Sequence, residues 1–166
     1  MSHRSRNGIP RPGLPAMLLL GACLCAAAAH AETAPACDPS LPGQVRLEVT
    51  VSHFHDAKGH LVVTIYPDDA AHFLNGKYKV ARQIVPIELP STRVCFALPA
   101  AGDYAVALFQ DANDNGHFDT NWLGLPTEGY GFSRDPKLRF GPPKLDQTRI
   151  PVKVGDNRVA VRMQYW

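Results

Sequence analysis

From Val45 to Ser52 the chain alternates without a break. Val45, Leu47, Val49 and Val51 are apolar; Arg46, Glu48, Thr50 and Ser52 are polar. A period of two places the two sets on opposite faces of a β-strand, whereas a helix would scatter them around its circumference. Such a strand must pair with neighbours and bury its apolar face against a second layer. No later stretch offers a sustained helical period, and 15 prolines and 13 glycines in 166 residues punctuate the chain into short segments. The fold class that follows is all-β.

The other strands read less cleanly. His53-Phe54-His55 continues the first strand into a turn at Asp56 to Gly59, and Leu61 to Tyr66 returns as the second arm of a hairpin. A helical turn fits Asp69 to Leu74. Val80 to Leu89 contains Pro86, which restricts it, if it is a strand, to a sheet edge or a bulge. Thr92 to Leu98 is a short strand carrying Cys95, and Asp103 to Phe109 is apolar enough for a central one. Thr148–Val154 and Arg158–Tyr165 read as a last hairpin across Gly155-Asp156-Asn157. That is about seven strands, the count of a single antiparallel Greek-key β-sandwich, transthyretin- or Ig-like, with one long ordered loop. Gly102-Asp103-Tyr104 at a strand start after Leu98-Pro99 resembles a tyrosine corner, in which the phenol bonds back to upstream backbone. A small outer-membrane barrel is excluded by register: counting back by twos from Trp166 gives Gln164, Arg162 and Ala160, which would set an arginine against lipid.

The first 31 residues have the build of a signal peptide. Arg4, Arg6 and Arg11 precede an apolar run from Leu14 to Ala29, and Ala29-His30-Ala31 fits the small-x-small cleavage pattern. The run is shorter than the roughly 20 residues a membrane span needs. Leu20-Gly21-Ala22-Cys23 also resembles a lipobox, with Cys23 acylated as the alternative processing. The organisation is then a leader over 1–31, an extended proline-rich lead-in over 32–43, and a sandwich domain over 44–166. The mature chain is secreted or periplasmic and carries no transmembrane span.

Losing the leader removes three arginines and no acid, so the formal charge falls from +2 to −1 and no basic stripe remains for nucleic acid. Cys23 and Cys25 leave with it. Cys37 and Cys95 remain as a single pair in an oxidising compartment, and a disulfide between them follows.

The segment from Leu98 to Ser133 holds the chemistry. Asp111, Asn113 and Asn115 place oxygen side chains at every second position, followed by Gly116, His117 and Asp119. In a calcium loop these would be ligands one, three and five, the His117 carbonyl, and position nine. Position twelve is Trp122 rather than Glu, and no helix flanks the loop, so this is no EF-hand; Glu128 is the nearest carboxylate that could complete a weak calcium site. The other reading is that Asp and Asn form Asx-turns with their own backbone. The spacing admits both.

Beyond the loop, Trp122 to Pro143 interleaves glycines and prolines with Trp122, Tyr130, Phe132 and Phe140. A connection this long is functional or disordered, and the spaced aromatics favour order. It is expected to cover a sheet edge or end, with Trp122, Tyr130 and Phe132 buried; the alternative presents Trp122, Tyr130 and Phe132 as a surface for a sugar or other flat ligand.

QDANDNGHFDTNWLGLPTEGYGFSRDPKLRFGPPKLD resembles the signature of a bacterial secreted family known as domain of unknown function 2141: D-x-N-x-N-G-x-x-D-T-N, then G-x-P-x-E-G-Y-G-F-S, then F-G-P-P. Gln110 stands where the resemblance implies His. It covers about Val45 to Tyr165 and implies a transthyretin-like sandwich with an extracytoplasmic address, and it implies no activity.

Three functions stay open. The first is a non-enzymatic binding or cell-envelope module, whose partner would be an envelope protein or a glycan. The second is a hydrolase or carbohydrate-active protein using Asp119 and Glu128. The third is a metal-handling protein using His53 and His55, two apart on one strand face, with His60 across the hairpin. No nucleophile elbow, phosphate loop or dinucleotide fingerprint is present in the sequence. Mass analysis of exported protein should find an unmodified N-terminus at Glu32 and no alkylation of Cys37 or Cys95 before reduction. An acylated Cys23, or two free thiols, would refute the corresponding assignment.

Overall fold

The computed structural model describes Cys37, residues 44–138 and residues 141–166. The leader and most of the lead-in lie outside the described residues, as does Phe140. Eight strands form two sheets that face each other as a β-sandwich. In chain order the elements are β1 (Val45–Ser52), β2 (His60–Pro67), a 3-10 turn (Gly76–Tyr78), β3 (Ala81–Pro86), β4 (Ser91–Leu98), β5 (Gly102–Asp111), β6 (Tyr130–Phe132), α1 (Leu145–Thr148), β7 (Arg149–Val152) and β8 (Gly155–Arg162). One sheet has the order β4-β1-β8; the other runs β3-β2-β5-β6, with β7 also on β5.

The alternation of β1 does what the sequence requires. Val45, Leu47, Val49 and Val51 are buried between the sheets, opposite Leu98, Phe96, Val94 and Thr92 of β4. They meet Leu61, Val63 and Ile65 of β2, and Tyr104, Val106 and Leu108 of β5, in one core. Full burial of side chains such as Leu47, Ile65 and Phe96 is worth about 1.5–3 kcal/mol each against an exposed reference.

Both expected hairpins are overturned. β1 and β2 lie in different sheets, because β1 has both edges occupied, by β4 antiparallel and by β8 parallel. Residues 53–59 therefore cross the sandwich instead of folding back. Likewise β7 pairs with β5 while β8 pairs with β1, so the segment expected as a tight turn is an arch. Gly155 (φ +92°), expected at that turn, is the first residue of β8, opposite Val45. Alternation shows which face of a strand is apolar and is silent on its partner.

Other expectations stand. Among the described residues β3, with Pro86, is an edge strand paired only with β2, and β5 is central. Tyr104 Oη donates to the Ala100 carbonyl at 2.8 Å, a tyrosine corner where the motif implies one. Cys37 and Cys95 are disulfide-bonded, with Cα atoms 5.5 Å apart. At Asp69 to Leu74 the chain makes successive turns, with a 3-10 turn following at Gly76–Tyr78. Among the described residues no helix is long and apolar enough to cross a membrane.

The long connection after β5 contains an eighth strand. β6 lies along β5 with Phe132 opposite Ala107 and Tyr130 opposite Phe109. β7 takes the other end of the same β5 edge, from Gly102 to Ala105. Between them Ser133 fills the gap: its backbone N–H donates to the Val106 carbonyl (3.0 Å), and its Oγ accepts the Val106 N–H (3.0 Å) while donating to the Thr148 carbonyl. Tyr104→Phe removes the corner's donor and should cost about 1 kcal/mol, the usual net value of such a bond, read as a lower urea midpoint at unchanged slope.

Candidate functional site

Two features meet at the end of β5. The first is the Asx loop. Asp111 is 4% exposed, and its oxygens accept the N–H groups of Asn115 (3.0 Å) and Gly116 (2.7 Å). Asn113 Oδ1 accepts the Asn115 N–H (3.2 Å), and Asn115 Oδ1 accepts the His117 N–H (2.8 Å). The side-chain amides of Asn113 and Asn115 both donate to Asp119 Oδ2, at 2.8 and 2.9 Å. Glu128 is buried and clasps both ends of the loop, Oε1 accepting from Ala112 N–H (2.9 Å) and Oε2 from Asp119 N–H (3.1 Å). Asp111, Asn113, Asn115, Asp119 and Glu128 are thus gathered into one knot whose acceptors are received by the loop's own amides, the Asx-turn arrangement. Among the described residues no group of three or more His, Cys, Asp or Glu is placed to hold a metal ion. Because both Glu128 oxygens serve as loop acceptors, the Asp119–Glu128 pair is not arranged with one acid and one base facing a substrate.

The histidines separate. β1 ends at Ser52, and His53 takes φ +67°, so His53 and His55 do not share a strand face, correcting that expectation. His53 Nδ1 meets Ser52 Oγ at 3.0 Å. His55 stacks on Tyr165 with ring centroids 3.6 Å apart, and His60 pairs with Asp114. Tyr165 belongs to a further network: its hydroxyl donates to Gln110 Oε1 (2.8 Å), while Gln110 Nε2 donates to Asp56 Oδ1 (2.9 Å) and to the Lys58 carbonyl (3.0 Å). The Lys58 N–H and the Gln110 amide hold the Asp56 carboxyl below its ordinary value. Gln110 thus ties the crossing segment to the C-terminal tail, and Gly129 passes under Tyr165 so closely that a Cβ there would lie 2.5 Å from the ring.

The second feature is a groove of about 770 Å³ on the outer face of the five-stranded sheet. Its floor crosses the strands: Arg82, Thr64 and Phe132 belong to one cross-strand row, which passes through Ala107, and Phe109 and Tyr130 are partners in the next. Walls come from the loop at Phe118, Leu123 and Pro126, from Leu138 and Pro142, and from Trp166. Phe118 lies 5.7 Å from Phe109 and 6.1 Å from Tyr130, ring to ring. The GYGFS motif explains itself here. Tyr130 and Phe132 face the groove, while Gly131 faces inward where a Cβ would come within 2.8 Å of Val161 Cγ1.

Trp122 corrects the expectation of burial. Residues 119–127 make a small projecting turn, with Asn121 Oδ1 accepting the N–H groups of Leu123 (2.9 Å) and Leu125 (3.1 Å), and Trp122 at its tip is 90% exposed. Tyr130 and Phe132 are buried, at 7% and 8%. The residue missed in the sequence is Arg82. Its Nε donates to Thr64 Oγ1 at 2.9 Å, and its guanidinium lies against the Tyr66 phenol. Burial raises the Tyr66 pKa, an effect the arginine partly offsets, and burial also raises that of Tyr130. Both phenols are therefore neutral donors at physiological pH. The alternation Arg82, Ile84, Pro86 on one side of β3 was the available signal, masked by its resemblance to an ordinary solvated edge.

A family model described as an uncharacterized protein conserved in bacteria (DUF2141) matches residues 49–160. No curated protein and no solved structure matches the chain. Asp111→Ala strands two loop amides and should lower the melting temperature by the same amount in chelator and in millimolar calcium. A calcium-induced rise in the parent protein that the variant loses would assign the knot to an ion instead.

Proposed function

The chain belongs to the DUF2141 family, and we propose that it is an exported, non-enzymatic binding module whose outer-sheet groove takes a small ligand with an apolar body. The groove itself carries this reading. Its volume lies inside the range of about 300–1,000 Å³ found for small-molecule sites, and such sites are mainly apolar with a few fixed polar groups. Phe109, Phe118, Tyr130 and Phe132 supply the apolar surface, and Thr64, Tyr66 and Arg82 the polar cluster. The leader-like N-terminus and the Cys37–Cys95 disulfide support an extracytoplasmic address, with the leader removed after Ala31.

The neutral fluorophore N-phenyl-1-naphthylamine should bind saturably at one site per chain. Phe118 is partly exposed and belongs to no strand, so Phe118→Asp puts a charge against the rings without entering the core. It should weaken the probe by about tenfold or more, a step of about 1.4 kcal/mol. Non-saturable binding, or identical titrations for the two proteins, would refute the groove as the site.

A further inference from the structure

The described residues lining the groove include one permanent cation, Arg82, and no Asp or Glu side chain. Arg82 is half-buried, and it is absent from the ion pairs formed among the described residues. A guanidinium is a rigid fork of N–H donors suited to a planar oxyanion. Here Thr64 Oγ1 takes the Nε–H and the Tyr66 phenol lies alongside, which orients the fork. A charge held at a partly desolvated site costs free energy unless an opposite charge meets it. The position is also polarised. Arg82 stands on the edge strand β3, and in the same row Phe132 stands three strands away on β6, roughly 14 Å at about 4.8 Å per strand spacing. Between them in that row stand Thr64 and Ala107, the two short side chains of the row.

We propose that the ligand is a single-chain amphiphilic carboxylate, its head on Arg82 with the Tyr66 hydroxyl beside it, and its apolar chain laid across Ala107 toward Phe132 and Tyr130. This rests on the reading of the groove as a binding site and adds its selectivity. Arg82 sets the charge preference, and the aromatic end contributes affinity indifferent to the head group. The occupant is a soluble monomer, since the groove is sized for one chain and runs along the sheet.

Calorimetric titration with three probes of equal chain length tests it: decanoate, 1-decanol and decyltrimethylammonium, each as monomer at neutral pH. Decanoate should bind about tenfold or more tighter than decanol, the scale expected of a hydrogen bond to a charged group, and the ammonium weakest. Arg82→Gln should bring decanoate to the level of decanol and leave decanol unchanged, while Arg82→Lys should keep the order with a smaller gap. Equal affinities for decanoate and decanol, or an Arg82→Gln variant that retains the preference at unchanged stability, would overturn the selectivity while the groove remains a site. If none of the three probes binds, the groove reading falls with it.

Discussion

β5 must be paired along both edges, and the rest of the structure answers to that requirement. One edge is met continuously by β2 from Tyr104 to Asp111. The other is met in pieces: β7 at Gly102 to Ala105, the Ser133 backbone and hydroxyl at Val106, β6 at Ala107 to Phe109, and the Gly129 carbonyl at Gln110 N–H. Every piece comes from chain beyond residue 128, so the connection after β5 has to travel out and return to the strand it left. An unpaired central strand would strand buried N–H and C=O groups, each costing about 1–3 kcal/mol. The long loop is the length of chain this return needs.

The return is anchored by a buried carboxylate. Glu128 accepts from Ala112 at the loop's start and Asp119 near its middle, and the next residues enter β6. A buried carboxylate is stable only with its lone pairs engaged, so the loop supplies amides to it as Asp111 receives those of Asn115 and Gly116. The same acidic residues that would draw a cation in an open loop here organise backbone. Their spacing is common to both uses because both need alternate side chains turned to one interior.

Much of this was legible in the residues. The alternation at Val45 to Ser52 marked a strand and its buried face; Tyr104 marked its corner; Pro86 marked an edge. What was not legible is pairing, since a period of two describes a strand's faces and leaves its neighbours open, and so both hairpins dissolved into crossings between sheets. β6 was hidden because it is three residues with a glycine in the middle, where strand propensity is weakest. Trp122 misled because an aromatic in a glycine-rich segment carries no sign of direction; its orientation comes from Asn121 closing the turn beneath it. Arg82 and Phe132 lie 50 positions apart and share a row only through two intervening strands.

That row shows how one sheet divides its work between its faces. On the inner face β2 and β5 place Leu61, Val63, Ile65, Val106 and Leu108 in the core. On the outer face the same strands carry Val62, Thr64, Tyr66, Ala105 and Ala107, and Val62, Thr64 and Tyr66 are almost as buried, because loop and tail lie over them. Double burial is why Leu61 to Tyr66 reads as a continuous apolar run instead of an alternation. A fold needing only stability would fill the outer layer with large aliphatics. This one leaves alanines in the middle, rings at one side and a cation at the other. Its covering segments are joined to the sheet through Glu128, Gln110 and Ser133, so the groove's walls are held by the bonds that complete β5.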